Sequence, residues 1–442
     1  MSRGTTSEKV VDERVYEVHE LTRVEGEGSL RLRVRDGEVV EARLGIFEAP
    51  RYFEQLVVGR TPDEVIDMVA RICGICPVAY QMSAAHGFED LFGVRIDPQT
   101  RALRRLLYCG EWIESHALHI YFLHAPDFLG YESGITMAAD HRPLVEQALK
   151  MKKAGNRLIT ILGGRPIHPV SVRVGGWSHV PRISELKEHR AALEEGLAFA
   201  QETVKIVSGF TMPAFAREPR LVSLRHAAEY PFNDGRIVSS DGVDVAPSGW
   251  REAFEEFQVE GTNALHARSL DGKGVYLLGP AARVVLAGEQ LHPLAKEALA
   301  ASGYADLIRT NIYASIVARA VELVHAFAEA IDIIDAYKRP DRPMTPWTPR
   351  PGAAAWATEA PRGLLFHHYE IDEDGRIAAA QIVPPTSQNQ AAIEADMTSF
   401  APSVLALPQA EATHRLEQLI RSYDPCISCA THFLDLHIEE TS

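Results

Sequence analysis

The first clear periodicity in the chain has a period of two. Leu30, Leu32 and Val34 alternate with charged residues, Asp36-Gly37 supplies a turn, and Val40, Ala42, Leu44 and Ile46 alternate again. Such a pattern predicts a β-hairpin. A second hairpin is predicted near the other end, where Leu364–Ile371 and Arg376–Val383 flank Asp372-Glu373-Asp374-Gly375. Between them the period is mostly helical. Thr61-Pro62-Asp63-Glu64 reads as a capping box with proline at the first helical position, opening a helix toward Arg71. Further helices are expected from Pro77 to about Phe92, then over 101–123, 144–162, 183–207 and 307–336. Proline at 340, 343, 346, 349 and 351 predicts a stiff extended connector. The expected product is an α+β fold, predominantly α: a helical body with a small β portion drawn from both ends of the chain. The corresponding divisions are 1–60 (N-terminal β portion), 61–338 (helical body), 339–362 (connector), 363–432 (C-terminal hairpin and second cysteine pair) and 433–442 (a tail).

Composition narrows the function. The chain has 442 residues, 46% of them hydrophobic, enough for a sizeable core. Its net charge of −15 is opposite in sign to the basic footprint that nucleic acid requires. Residues 1–20 are charged throughout and lack the apolar centre of a secretory signal. No stretch approaches the ~20 apolar residues of a membrane helix. A soluble, cytoplasmic protein without direct membrane insertion is the expectation.

Five cysteines occur, and four of them form two C-x-x-C pairs: Cys73/Cys76 and Cys426/Cys429. Cys109 is left over and reads as a buried apolar residue. The pairs lie roughly 350 residues apart. Prolines beside each pair can start helices, whose N-termini favour thiolates, the metal-binding form. A thioredoxin-like dithiol needs one pair, not two. A structural zinc site usually keeps its cysteines in one small module, although loop closure grows costlier only slowly with length. A catalytic centre held by soft thiolates suits nickel, zinc or iron. Spacing alone leaves zinc and a catalytic metal both open. With four cysteines spent, one remains, too few for an iron–sulfur cluster, which normally takes four. The chain therefore needs a partner to carry electrons.

The two pairs, read with their neighbours, are more specific. Arg71-Ile72-Cys73-Gly74-Ile75-Cys76 and Asp424-Pro425-Cys426-Ile427-Ser428-Cys429-Ala430-Thr431-His432 resemble the paired signatures of the nickel–iron hydrogenase large subunit. Thr22–Gly26, Pro50–Glu54, Gly163–Pro169, Glu359–Gly363 and Val383–Thr386 resemble other motifs of that family. The matches run from Thr22 to His432, essentially the whole chain. The resemblance implies reversible H2 oxidation by the catalytic subunit of a hetero-oligomer. Cys73 and Cys426 would bind nickel terminally, and Cys76 and Cys429 would bridge nickel to an iron carrying carbon monoxide and cyanide. Heterolysis of H2 yields a hydride for the metal pair and a proton for a nearby base. Cys426 and Glu25 match the family's proton path, since a carboxylate in a glycine-rich turn can reach the sulfur. Arg362 matches the arginine over the metals, a charged and rigid donor fork. Asp424 matches an aspartate behind the centre, and by itself reads as the cap of a helix begun by Pro425. Glu54, the carbonyl of Gln381 and His432 match a magnesium site. Tyr80, His116, His119 and Thr386 fall in the surrounding layer; the two histidines share a helical face and read as core hydrogen-bonding groups.

Three positions depart from the family's pattern. Tyr80 stands where histidine is common, Glu27 replaces a histidine, and Ser115 replaces an aspartate. They bear on oxygen tolerance and catalytic bias, not on the metal centre. The helix after Glu114 and the Ala125-Pro126-Asp127-Phe128 stretch most resemble cytosolic members, which couple H2 to NAD(P) through an iron–sulfur small subunit and flavin-containing diaphorase partners. In the family an endopeptidase trims the chain after the last histidine of the second signature, here His432, once nickel is in place. The alternatives are a structural four-cysteine zinc protein, and a hydrogenase-derived subunit of a respiratory complex. The presence of all four cysteines argues against the latter.

Overall fold

The computed structural model describes residues 13–47 and 52–431. The N-terminal hairpin forms as expected, with Leu30 opposite Leu44 and Leu32 opposite Ala42. Asp36 and Gly37 both adopt positive φ, as a tight hairpin turn demands. Leu30, Leu32 and Val34 are buried, while Val40 is exposed beside a bulge at Arg33/Val34. A third strand, Glu13–Val18, adds to the outer edge of Gly28–Arg35. The inner face of this sheet packs on two C-terminal helices, Pro385–Val404 and Gln409–Ser422, through Ile393, Met397, Phe400, Leu416 and Leu419. The first is buried on most of its circumference, including Thr386–Gln390, so it shows no apolar stripe and was missed in the sequence.

The helical body consists mainly of Pro98–Leu118, Arg142–Gly163, Ile183–Ser208 and Ser315–Ala336. The first two cross closely. A Cβ on Gly155 would meet the Gly110 carbonyl at 2.6 Å and the Glu114 nitrogen at 2.8 Å. The helix expected to run to Leu123 changes winding at His119 and continues as a π-helical turn to His124, a form often found at functional sites. The helix expected over 307–336 is broken at Asn311, whose side chain caps a short turn before Ser315.

Two details are added to the expected plan. The mostly helical middle of the chain also holds strands that the reading of the sequence did not place: Val222–Arg225, Arg236–Ser239, Phe254–Gln258 and Leu265–Ser269. Four or five residues carry too few alternations to stand out. The connector ends earlier than its composition suggested, because Gly352–Ala360 pairs antiparallel with Gly363–Ile371 in a sheet completed by Ile377–Val383. Ala360 opposes Gly363, so Pro361 and Arg362 form the hairpin turn. The Pro77–Phe92 helix lies against this sheet, with Ser83 Oγ 2.7 Å from Thr358 Oγ1 and the Phe88 and Tyr369 rings 4.9 Å apart. These two contacts help to fix the segment after Cys76 relative to the turn carrying Arg362.

Candidate metal centre

Four segments meet in the core: the turn around Glu25, the Cys73–Cys76 loop, the Pro361-Arg362 turn and the Asp424–Cys429 stretch. The four cysteine sulfurs lie within 4.8 Å of one another, and all four residues are buried. Cys73 Sγ is 3.5 Å from Cys426 Sγ. The first pair sits in a loop after a 3-10 turn, where the nitrogens of Ile75 and Cys76 point at Cys73 Sγ at 3.4 and 3.2 Å. Pro77 then starts the helix, with Cys76 as its N-cap. The second pair differs from expectation. Pro425 does not begin a helix; the four-residue Ile427–Ala430 helix follows Cys426, and Asp424 does not cap it. Asp424 takes a left-handed conformation, and its carboxylate turns to Arg362 instead.

Arg362 donates from Nε to the Asp424 carbonyl (2.7 Å) and from Nη2 to its carboxylate (3.0 Å). Its Nη1 is buried with no protein partner among the described residues. Burial disfavours its charge, but Asp424 and the thiols outweigh that and hold it protonated. The turn is braced from behind. Arg283 donates to the carbonyls of Ala360 (3.0 Å) and Pro361 (2.9 Å) and pairs with Glu322 and Glu359, all fully buried. Gly279 also approaches: at φ 105°, a Cβ there would stand 2.9 Å from the Arg362 carbonyl.

Glu25 reaches the centre from the opposite side. Cys426 Sγ and the Ser428 nitrogen each lie 3.1 Å from Glu25 Oε2, and the Ile427 nitrogen donates to the Glu25 carbonyl at 2.8 Å. Thr386 Oγ1 accepts from the Cys426 nitrogen at 2.9 Å. His116 Nε2 lies 2.8 Å from Glu322, and His119 Nε2 lies 2.8 Å from the Arg421 carbonyl, so both engage the core rather than the sulfurs. Tyr80 does not donate to a cysteine: its buried hydroxyl has no partner among the described residues, and its ring lies 5.6 Å from that of His367. Ser115 is buried with its hydroxyl likewise unpartnered among them, and Cys109 is buried in the core.

The donor set suits a soft cation. Burial pushes the Cys426 and Cys429 thiols up; Cys76, despite Cys426, is raised by hydrogen bonding with Cys429 and Cys73. Cys73 alone is held down against burial, by its neighbouring thiols and the Arg362 charge. Holding all four as thiolates would therefore require compensating positive charge, which a bound metal would provide. The unpartnered Arg362 Nη1 is a donor left for a group beside such a metal.

A second cluster lies past Cys429. A cavity of about 470 Å³ is lined by Glu54, Glu256, Ile382, Ser428 and Cys429, among others. Glu54 Oε1 accepts from the Ile382 nitrogen at 2.7 Å, which places it beside Gln381. The Gln381 side chain donates to Glu256 at 2.9 Å, and its own oxygen is buried with no partner among the described residues. Burial raises Glu54 to about 7 and Glu256 to about 8. Glu256 was not visible in the sequence, because acids in a five-residue strand carry no motif. His432, with Pro50 and Arg51 of the acidic motif, lies outside the described residues.

The sequence profile of the nickel-dependent hydrogenases matches residues 51–142 and 277–432. The chain belongs to that family, as the catalytic large subunit of a nickel–iron hydrogenase. It is 33% identical to the sulfhydrogenase 1 alpha subunit of Pyrococcus furiosus, over 95% of this chain and 98% of that one. Identity to the sulfhydrogenase 2 alpha subunit of the same organism is 31%, over 96% and 100%. Among solved structures, an NAD+-reducing [NiFe]-hydrogenase in the H2-reduced state superposes with a TM-score of 0.86 at 26% identity, covering 95% of this chain and 99% of that one.

Proposed function

We propose that the four cysteines divide their roles as the family resemblance implies, with Cys73 and Cys426 terminal on nickel and Cys76 and Cys429 bridging to an iron that carries carbon monoxide and cyanide. The observation that carries this reading is the meeting of two pairs from opposite ends of the chain in one buried cluster, with Glu25 3.1 Å from one sulfur. When bound, the metal pair supplies the Lewis acidity that polarises H2 and accepts the electron pair of its heterolysis. The chain's own groups handle the proton. Cys426 Sγ receives it and passes it to Glu25 Oε2, which the Ser428 nitrogen orients. Arg362, fixed by Asp424 and by the Arg283-braced turn, keeps Nη1 as a donor that a ligand of the iron would take. Metal analysis and infrared spectroscopy of the mature protein test this reading. Nickel and iron in equal amounts, with bands of bound carbon monoxide and cyanide, are expected; zinc alone would sink it.

Glu54, the Gln381 carbonyl and His432 are the proposed magnesium ligands, and the Glu256 carboxylate stands ready to hold the ion's waters. In the metal-free chain both acids have pKa values raised above their unfolded value of 4.5. The stabilisation from holding them neutral is complete below that value. It is lost as pH rises through about 7 and then about 8. Magnesium opposes the loss by favouring the charged forms. The thermal midpoint gap between magnesium-replete and chelator-treated protein should therefore widen steadily from mildly acidic to mildly alkaline pH. A gap that stays constant or narrows contradicts the assignment.

An iron–sulfur small subunit is the proposed electron acceptor, because the one cysteine left over, Cys109, is too few for a cluster. The Pro77–Phe92 helix is buried on 13 of its 16 residues and offers no docking face. Gly74 and the Arg165–Ile167 stretch are exposed, and Ile167 lies over Gly74. They form the surface nearest Cys73 to which that subunit is assigned. Diaphorase subunits passing electrons to NAD(P), a cytoplasmic location, and maturation by an endopeptidase that leaves His432 as the chain end complete the proposal. No helix among the described residues is long and apolar enough to cross a membrane.

A further inference from the structure

Two arginines that flank the relay converge on one buried carboxylate. Asp127 lies in the Ala125–Leu129 helix, directly after the π-helical turn, and its side chain is wholly buried. Arg421 donates to it twice, Nε to Oδ2 at 2.8 Å and Nη2 to Oδ1 at 2.9 Å. Arg23 donates from Nη2 to the same Oδ1, and from Nη1 to the Leu123 carbonyl at 3.0 Å. Arg421 Nη1 closes the group on the Thr22 carbonyl at 3.2 Å. Arg23 is two residues before Glu25, and Arg421 is five before Cys426. The segments whose ends carry the proton donor and acceptor are thus clamped by one residue from a third element.

The electrostatics make the clamp depend on its charge. Burial alone would favour a neutral acid, but Arg421 and Arg23 hold Asp127 below the ordinary carboxylate range. Burial and the neighbouring Arg421 both weigh against a charged Arg23, and Asp127 offsets them. Without that negative charge, two partly or wholly buried guanidinium groups would repel each other across the junction. Arg23 also has a positive φ, so the turn leading to Glu25 is held in a conformation that a non-glycine residue adopts only when tied down.

We propose that Asp127 is a positioning residue for proton transfer: by holding Arg23 and Arg421 together, it sets the separation between the Glu25 carboxylate and the Cys426 sulfur. The inference rests on the reading of Glu25 as the relay. Misplacement of a transferring pair by about 1 Å can cost on the order of 10²-fold in rate.

The test uses the assembled holoenzyme with Asp127→Asn, Glu25→Gln and the double variant. H/D exchange, H2-dependent dye reduction, metal content and infrared bands are measured on each. Asp127→Asn is expected to keep its metals and infrared bands and to lose about 10- to 100-fold in exchange. It should cost little more when added to Glu25→Gln, because residues acting through one step are not additive. Wild-type exchange in Asp127→Asn would overturn the proposal, as it would mean that the Ile427 and Ser428 backbone bonds suffice to place Glu25. An equal loss in both backgrounds would overturn it too, since that describes general destabilisation. Wild-type exchange in Glu25→Gln alone would remove the relay reading and this inference with it. If Asp127→Asn fails to acquire metal, Arg23→Met, which removes one arm and leaves the Asp127–Arg421 pair, carries the same comparison. Slow exchange with intact infrared bands would support the clamp, and wild-type exchange would overturn it.

Discussion

Glu25→Gln is expected to slow H2 oxidation and H/D exchange by about 10²–10⁴-fold, the usual contribution of a general acid–base group. Nickel, iron and the infrared bands should be unchanged. The substitution is nearly isosteric. The carboxamide oxygen can still accept from the Ser428 nitrogen, and the Ile427 bond to the residue's carbonyl involves only backbone. What disappears is a side chain able to take the proton from Cys426 and release it again. An amide in the same place cannot do this, so the variant separates proton movement from assembly of the centre. Gas-phase isotope analysis over the purified holoenzyme reads the exchange directly. Exchange at the wild-type rate with an intact centre would place the relay elsewhere.

Arg362→Lys is expected to lower turnover by about 10²–10³-fold, the scale seen when a preorganised donor is removed from a buried reacting site. Lysine keeps the positive charge but not the planar fork. It cannot serve the Asp424 carbonyl and carboxylate at 2.7 and 3.0 Å while also presenting a third donor where Nη1 now lies. Arg362→Met should be worse for the protein as a whole. It takes from buried Asp424 its hydrogen-bonded cation, leaving chiefly the Arg319 charge to offset burial, and breaking such a pair costs roughly 3–5 kcal/mol. The paired experiment compares turnover, infrared band positions and thermal midpoint. A lysine variant with wild-type turnover and unshifted bands would show that the fork geometry is idle and only the charge matters.

Much of the local structure was legible before the fold was known. Thr61 and Glu64 form the expected capping box, with the Thr61 nitrogen 2.8 Å from the Glu64 carboxylate. Asp36-Gly37 makes the expected turn, and Pro77 starts the expected helix. These features depend on neighbours within a few positions, and sequence order preserves that information. Pro385–Val404 escaped because a helix wrapped by protein on most sides has no polar face to set its period. Gly352–Ala360 escaped because its alanines mark neither strand nor helix, and it becomes a strand by pairing with Gly363–Ile371.

The ligand type of the metal centre was set by the sequence itself. Two C-x-x-C pairs specify soft ligands whatever the fold, while the parts proposed for Glu25 and Arg362 came from the resemblance of their motifs to the family's. Only the tertiary structure decided how they are used. It brought sulfurs roughly 350 positions apart within 4.8 Å, turned Asp424 from its expected capping role to Arg362, and left Tyr80 without a sulfur to bond. It also brought in Glu256 and Arg283, whose sequence neighbourhoods announce nothing, and set Asp127, noted in the sequence only as part of a motif stretch, between two arginines. The physical reason is the range of the forces involved. Capping and turn chemistry act through adjacent covalent bonds. Charge pairing and metal ligation act through space, where burial strengthens them and chain order carries no record of who the neighbour will be.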